Sequence, residues 1–109
     1  MRTARVLVND HTAGFLREEA EGYIFEYLPE YLAANDTSPV SLTLPLSDTP
    51  YHSPVLFPFF DGLIPEGWLL EIARDNWKLN PRDRMGLLMA CCRDCIGNIS
   101  IIPQAPDND

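Results

Sequence analysis

The chain has 109 residues, 46% of them hydrophobic, and a formal net charge of −8. That suits one folded domain with one modest core and excludes a disordered chain. The acidic balance also argues against a nucleic-acid surface, which has to neutralise phosphates; it fits plain solubility or a basic protein partner.

In chain order, Thr3 to Val8 reads as a strand, Asn9-Asp10-His11-Thr12 as turn residues, and Ala13 to Arg17 as the hairpin partner. Glu21-Gly22 marks a second turn. Tyr23, Phe25 and Tyr27 then alternate with Ile24 and Glu26, which is the period-2 signature of a strand. The chain thus opens on a three-stranded meander. Pro29 to Ala34 suits a short helical turn, and Asn35 to Pro39 a polar loop. Ser41 to Leu46 alternates, with Leu42, Leu44 and Leu46 on one face; Pro45 restricts it to an edge strand or an extended segment. Ser47 to Pro54 reads as a loop carrying a solvated His52.

The second half reads as helical. Val55 to Gly62 forms a first short helix despite Pro58, and Glu66 to Trp77 a second, entered through Pro65. Asn80 is the expected N-cap of a third, with Pro81 at its first position and Asp83 near the positive end of its dipole. Met85 to Cys92 continues that helix as a buried one. Ile99 to Ile102 reads as a closing strand. The expected fold class is α+β: a small antiparallel β-sheet, made of the N-terminal meander and the C-terminal strand, packed with three to four short helices. Residues 1–102 form the single domain and 103–109 a polar, frayed tail.

Several chemistries lack their residues. Six glycines are scattered singly and Lys78 is the single lysine, so no phosphate loop with a paired lysine is present. There is no G-x-S-x-G elbow. His11 and His52 lie in turn-rich segments without an evident Ser or Cys partner, and Glu18-Glu19 looks like an ordinary solvated turn. Cys92-Arg93-Asp94-Cys95 is a C-x-x-C, but its first Cys falls at a helix C-terminus, where the dipole disfavours a thiolate. A zinc site would need a fourth ligand beside Cys91, Cys92 and Cys95. Buried structural cysteines fit better, and neither an enzymatic activity, a cofactor nor a metal is expected. No apolar run approaches the ~20 residues of a membrane span. Val6-Leu7-Val8 after Arg2 and Arg5 is too short for a signal peptide, so the expected location is cytoplasmic.

Three segments in order carry a family resemblance: Ser41-Leu42-Thr43-Leu44-Pro45-Leu46, Phe59-Phe60-Asp61-Gly62-Leu63-Ile64-Pro65-Glu66-Gly67, and Asp94-Cys95-Ile96-Gly97. Together they resemble the N-terminal subdomain of HipA-type serine/threonine kinase toxins, from about Arg5 to about Ile102. This chain departs from the family pattern at Cys92, Arg93 and Asn98, where small glycines and an alanine are usual. The long kinase core that follows this subdomain in HipA is also not part of the chain. The resemblance therefore implies the stand-alone version found in HipBST-type three-gene toxin–antitoxin systems. There the subdomain binds and counteracts a HipT-like kinase toxin, and a HipB-like DNA-binding protein completes the assembly.

The sequence also offers a candidate contact. On a helix from Glu66 to Trp77, at about 100° per residue, Leu69, Leu70, Ala73 and Trp77 form the core-facing stripe. Trp68 lies roughly 150° from the centre of that stripe, with Ile72 four residues on. Trp68 either packs beneath the Ser47 to Pro54 loop or projects as an anchor for a partner. The candidate partner-binding residues are Trp68, Glu66, Ile72 and Phe59, with one of Phe59 and Phe60 filling the core. Three function classes follow: a non-catalytic antitoxin, an accessory subunit that completes a kinase without inhibiting it, and a thiol or zinc protein.

Overall fold

The computed structural model describes residues 2–34, 37–64, 83–91 and 98–104. Five antiparallel strands form one sheet: β1 (Thr3–Val8), β2 (His11–Glu19), β3 (Gly22–Tyr27), β4 (Tyr51–Ser53) and β5 (Ile99–Gln104), in the spatial order β4-β3-β2-β1-β5. Three short helices accompany them among the described residues: α1 (Pro29–Ala33), α2 (Pro58–Asp61) and α3 (Arg84–Cys91). This is the expected α+β fold, with the closing strand laid against β1.

The meander follows from local chemistry. Asn9 and Asp10 both adopt positive φ, 52° and 68°, so Val8 pairs with His11 across a two-residue turn. Both residue types tolerate this region better than most, and the turn's twist matches that of the strands. The register slips once, between Val6 and Leu7, leaving Ala13 as the extra residue of a bulge. The Ala13 carbonyl then accepts the Leu28 N–H at 2.8 Å, which fixes the exit of β3 into α1. Gly22 has φ 148° and its Cα sits close against Ser53, where a side chain would be strained and obstructed.

Alternation puts one face of the sheet in the core. Ala4 pairs with Leu16, Leu16 with Phe25 and Phe25 with Tyr51, so one row of side chains crosses four strands. A second row runs from Ile101 through Val6 to Gly14 and Tyr27. Phe57 and Phe60, from α2 and the residue before it, and Met85, Leu87 and Leu88 of α3 close over these rows. Phe60 packs on Phe25 with ring centroids 5.5 Å apart. The opposite face carries Arg5, Phe15, Arg17, Ile24 and Glu26, all partly or fully exposed.

Four features differ from the sequence expectations. Ser41 to Leu46 is not a strand: Leu44 N–H bonds back to the Ser41 carbonyl at 3.1 Å, closing a tight turn. The fourth strand lies instead at Tyr51–Ser53, inside the expected loop, because Phe25 offers an unpaired edge opposite Tyr51. The first helix begins at Pro58 and not at Val55, since proline favours the first helical position, where no N–H is needed. Asp83 Oδ1 accepts the Gly86 N–H at 3.1 Å and so caps the described start of α3, whereas the expected cap at Asn80 lies outside the described residues. In addition β5 continues through Pro103 to Gln104, paired with Ala4 and Thr3. The expected helix from Glu66 to Trp77 and the Cys92 to Cys95 motif lie outside the described residues.

Glu18 is also not simply solvated. Arg2 makes a fork to both Glu18 oxygens, at 2.8 and 2.7 Å, and a second fork to both Asp83 oxygens, at 2.8 and 2.6 Å. One guanidinium thus ties the start of the chain, the end of β2 and the cap of α3. Arg84 adds a bond of 2.6 Å to Asp61 of α2. Hydrogen bonds from Arg2 hold the Glu18 and Asp83 carboxyls below their ordinary ranges, and the Arg2 guanidinium is raised in return. Gly86 is needed beside them, because an added Cβ would sit 2.9 Å from Asp83 Cγ and 3.1 Å from an Arg2 nitrogen.

Depressed carboxylates contribute stability above their unfolded pKa, about 4, and lose it as pH falls through the folded values. Thermal unfolding of the wild type and Arg2→Ala should therefore differ most near neutral pH, with the wild type more stable. The gap should narrow on acidification below about pH 4. A gap that stays constant from pH 7 to pH 3 would show that the fork contributes nothing through charge.

Candidate partner-binding surface

Tyr27 ends β3 and Tyr31 sits in α1, four residues on. Their rings stack with centroids 6.2 Å apart and planes 9° apart. Both rings are buried and both hydroxyls reach the chain between Ser38 and Leu44. Tyr31 Oη donates to the Ser38 carbonyl at 2.6 Å and accepts the Ser38 N–H at 3.2 Å. Tyr27 Oη donates to the Leu44 carbonyl and accepts the Val40 N–H at 3.0 Å. Each phenol thus acts as donor and acceptor, and backbone groups that would otherwise be stranded at the edge of the core are satisfied.

Between these two fixings lies the turn from Ser41 to Leu44. Ser41 Oγ accepts the Thr43 N–H at 3.2 Å and bonds the Thr43 hydroxyl at 2.9 Å, a local arrangement that competes with a strand. The turn sends alternate leucines apart: Leu44 is 3% exposed and Leu42 is 96% exposed. The carbonyl of Pro45 accepts from Tyr51 Oη at 2.8 Å, which ties the far side of the turn to β4. Leu42, Leu46 and Val55, the large apolar side chains that stand exposed among the described residues, all belong to the connection between α1 and α2.

Burial pushes the Tyr27 hydroxyl up to about 12, against the lowering effect of the Val40 N–H. Tyr23 is also raised, first by burial and then by nearby carboxylates.

The sequence-predicted contact residues divide sharply. Phe59 is partly buried and packs edge-on against Phe60, at 5.2 Å, while Phe60 is fully buried in the core. Trp68, Glu66 and Ile72 lie outside the described residues. Leu42 was missed because strict alternation reads as a strand; Ser41, Thr43 and Pro45, three residues that favour turns, were the signal against it.

A shallow depression of about 580 Å³ opens where the β2–β3 turn meets β4, lined by residues that include Glu19, Glu21, Tyr23, His52 and Pro54. His11 and His52 are exposed. Among the described residues no group of His, Cys, Asp and Glu is placed to hold a metal ion. No described helix is long and apolar enough to cross a membrane.

A five-stranded antiparallel sheet roofed on one face by short helices is the architecture of the HipA N-terminal domain. A solved structure described as the N-terminal domain of HipA toxin superposes with a TM-score of 0.75 at 29% identity, over 98% of this chain and 96% of the other. The chain belongs to the HipA N-terminal domain family, whose profile matches residues 4–102. It is also similar to an uncharacterized protein of Haemophilus influenzae, 32% identical over 101 residues, which span 93% of this chain and 92% of that protein.

Tyr27→Phe removes a donor and an acceptor at once while keeping the ring. Leaving the buried Val40 N–H and Leu44 carbonyl unsatisfied costs about 1–3 kcal/mol for each group that water does not reach. Unfolding by urea should show a loss in this range, with faster amide exchange at Val40 and Leu44. Unchanged exchange there would show that the phenol does not hold the turn. A raised hydroxyl keeps its proton in the folded state, so its stability is intact below the unfolded value, about 10, and lost as pH rises toward 12. The wild type should therefore lose more stability than Tyr27→Phe between about pH 10 and pH 12.

Proposed function

We propose that this chain is a HipS-like small subunit: it binds a HipT-like serine/threonine kinase toxin and neutralises it as a non-catalytic antitoxin. The observation that carries the reading is membership of the HipA N-terminal domain family across residues 4–102. A relative described as part of HipA toxin supports a HipA-related kinase as the partner. On this reading the protein works in the cytoplasm, and a HipB-like DNA-binding protein joins the complex. The contact includes Trp68, Glu66, Ile72 and Phe59, with Trp68 as its anchor. A projecting indole after the Pro65-Glu66-Gly67 breaker either blocks the kinase cleft or holds the kinase in an inactive arrangement.

The accessory reading rests on the same family match: the domain completes the kinase without inhibiting it. Co-expression with a HipT-like kinase separates the two. Restored growth together with a stable complex supports the antitoxin, a stable complex without rescue supports the accessory subunit, and no complex overturns both. Truncating an interface hot spot costs about 2–4 kcal/mol, so Trp68→Ala should weaken kinase binding about 30- to 800-fold and release kinase activity. Unchanged affinity with full neutralisation would remove Trp68 from the contact.

A further inference from the structure

The exposed turn from Ser41 to Leu44 is unusual for what holds it. A single exposed leucine is ordinary on a protein surface. Leu42, however, is 96% exposed at the tip of a turn whose stem is fixed by Tyr27 and Tyr31 and whose tip is closed by Ser41. An apolar side chain held out on an ordered support loses little freedom on docking, which is the condition under which a contact becomes affinity. Its flank is tied to β4 through Tyr51.

The charge of the stretch of chain that contains it restricts the partner. Residues 18–64, which contain the turn, carry five Glu and three Asp and no Lys or Arg. Glu18, Glu26 and Asp61 are paired with arginines from outside that stretch, whereas Glu30 and Asp48, before and after the turn in the chain, are exposed, as are Glu19 and Glu21 at the far end of β3. A second copy of this chain would bring the same acidic stretch against itself. A surface rimmed by Lys and Arg would be attracted to it.

We propose that the 41–44 turn is a preformed anchor whose Leu42 enters an apolar pocket rimmed by basic residues on the kinase. The inference rests on the kinase being the partner and adds a second point of attachment, independent of Trp68. Leu46 and Val55 widen the apolar contact, and the acidic stretch speeds encounter.

Leu42→Asp and Leu42→Met, purified beside the wild type, test this by titration against the intact kinase at low and high salt. Because the side chain is exposed, both variants should keep the wild-type melting temperature. Leu42→Asp should weaken binding at least tenfold, Leu42→Met should bind nearly as the wild type does, and salt should slow association of all three. If the wild type binds the kinase and Leu42→Asp binds it equally well, the anchor is overturned while the kinase partnership stands. A wild type that does not bind the kinase overturns both. Sedimentation supplies the remaining arm: a wild-type dimer abolished by Leu42→Asp would make a second copy the occupant and overturn the proposal.

Discussion

The Arg2 guanidinium is the constraint on which the rest of the described structure leans. A single sheet with one apolar face is stable only if something roofs that face, and α3 is part of the roof here. Nothing in a helix of eight residues holds it against a sheet by propensity alone. Arg2 supplies a fixed point by gripping Asp83, the residue that caps the helix, and Glu18, near the end of β2. Two planar forks set orientation as well as distance, in a way that a lysine would not. Gly86 leaves room for the pair, and Arg84 extends the same chemistry to Asp61. These groups are partly exposed, so their value lies more in geometry than in raw Coulomb energy.

A second constraint works on the same apolar face of the sheet, at the end of β3. The stretch between α1 and β4 has almost no secondary structure of its own, yet it closes the core through Val40 and Leu44. Tyr27 and Tyr31 take on the role that a neighbouring strand would have. Their rings belong to the apolar interior and their hydroxyls satisfy the irregular backbone. The exposed turn is therefore an extension of the core. Its shape is decided by two residues whose rings are out of sight of any partner.

The meander, the closing strand and the α+β class were legible because they depend on period-2 patterning and on Asn-Asp turn chemistry, both local properties. What was illegible depended on distant partners. Ser41 to Leu46 has the pattern of a strand, but tyrosine hydroxyls from β3 and α1 claim its backbone groups instead. Tyr51 to Ser53 looks like loop sequence and becomes a strand because Tyr23 to Phe25 present a free edge. Glu18 reads as a solvated turn residue and Asp83 as a helix-dipole acid, until Arg2 is placed between them from the start of the chain. Of Phe59 and Phe60 the sequence pattern placed one in the core without saying which; Phe60 takes the interior place, and Phe59 is partly buried against it.

The uneven placement of basic residues has a chemical consequence. Between Arg17 and Arg74 the chain contains neither lysine nor arginine, and Lys78 is its single lysine. Trypsin therefore has no cleavage site from the middle of β2 through β3, α1, the tight turn, β4 and α2, so these elements leave a digest as one fragment. Acylation, carbamylation and amine-directed cross-linking likewise find no side-chain target there. Its nucleophilic groups are hydroxyls, carboxylates and one exposed imidazole, at His52. Amine chemistry leaves this segment unmarked, and carboxylate-directed reagents reach its exposed Glu19, Glu21, Glu30 and Asp48.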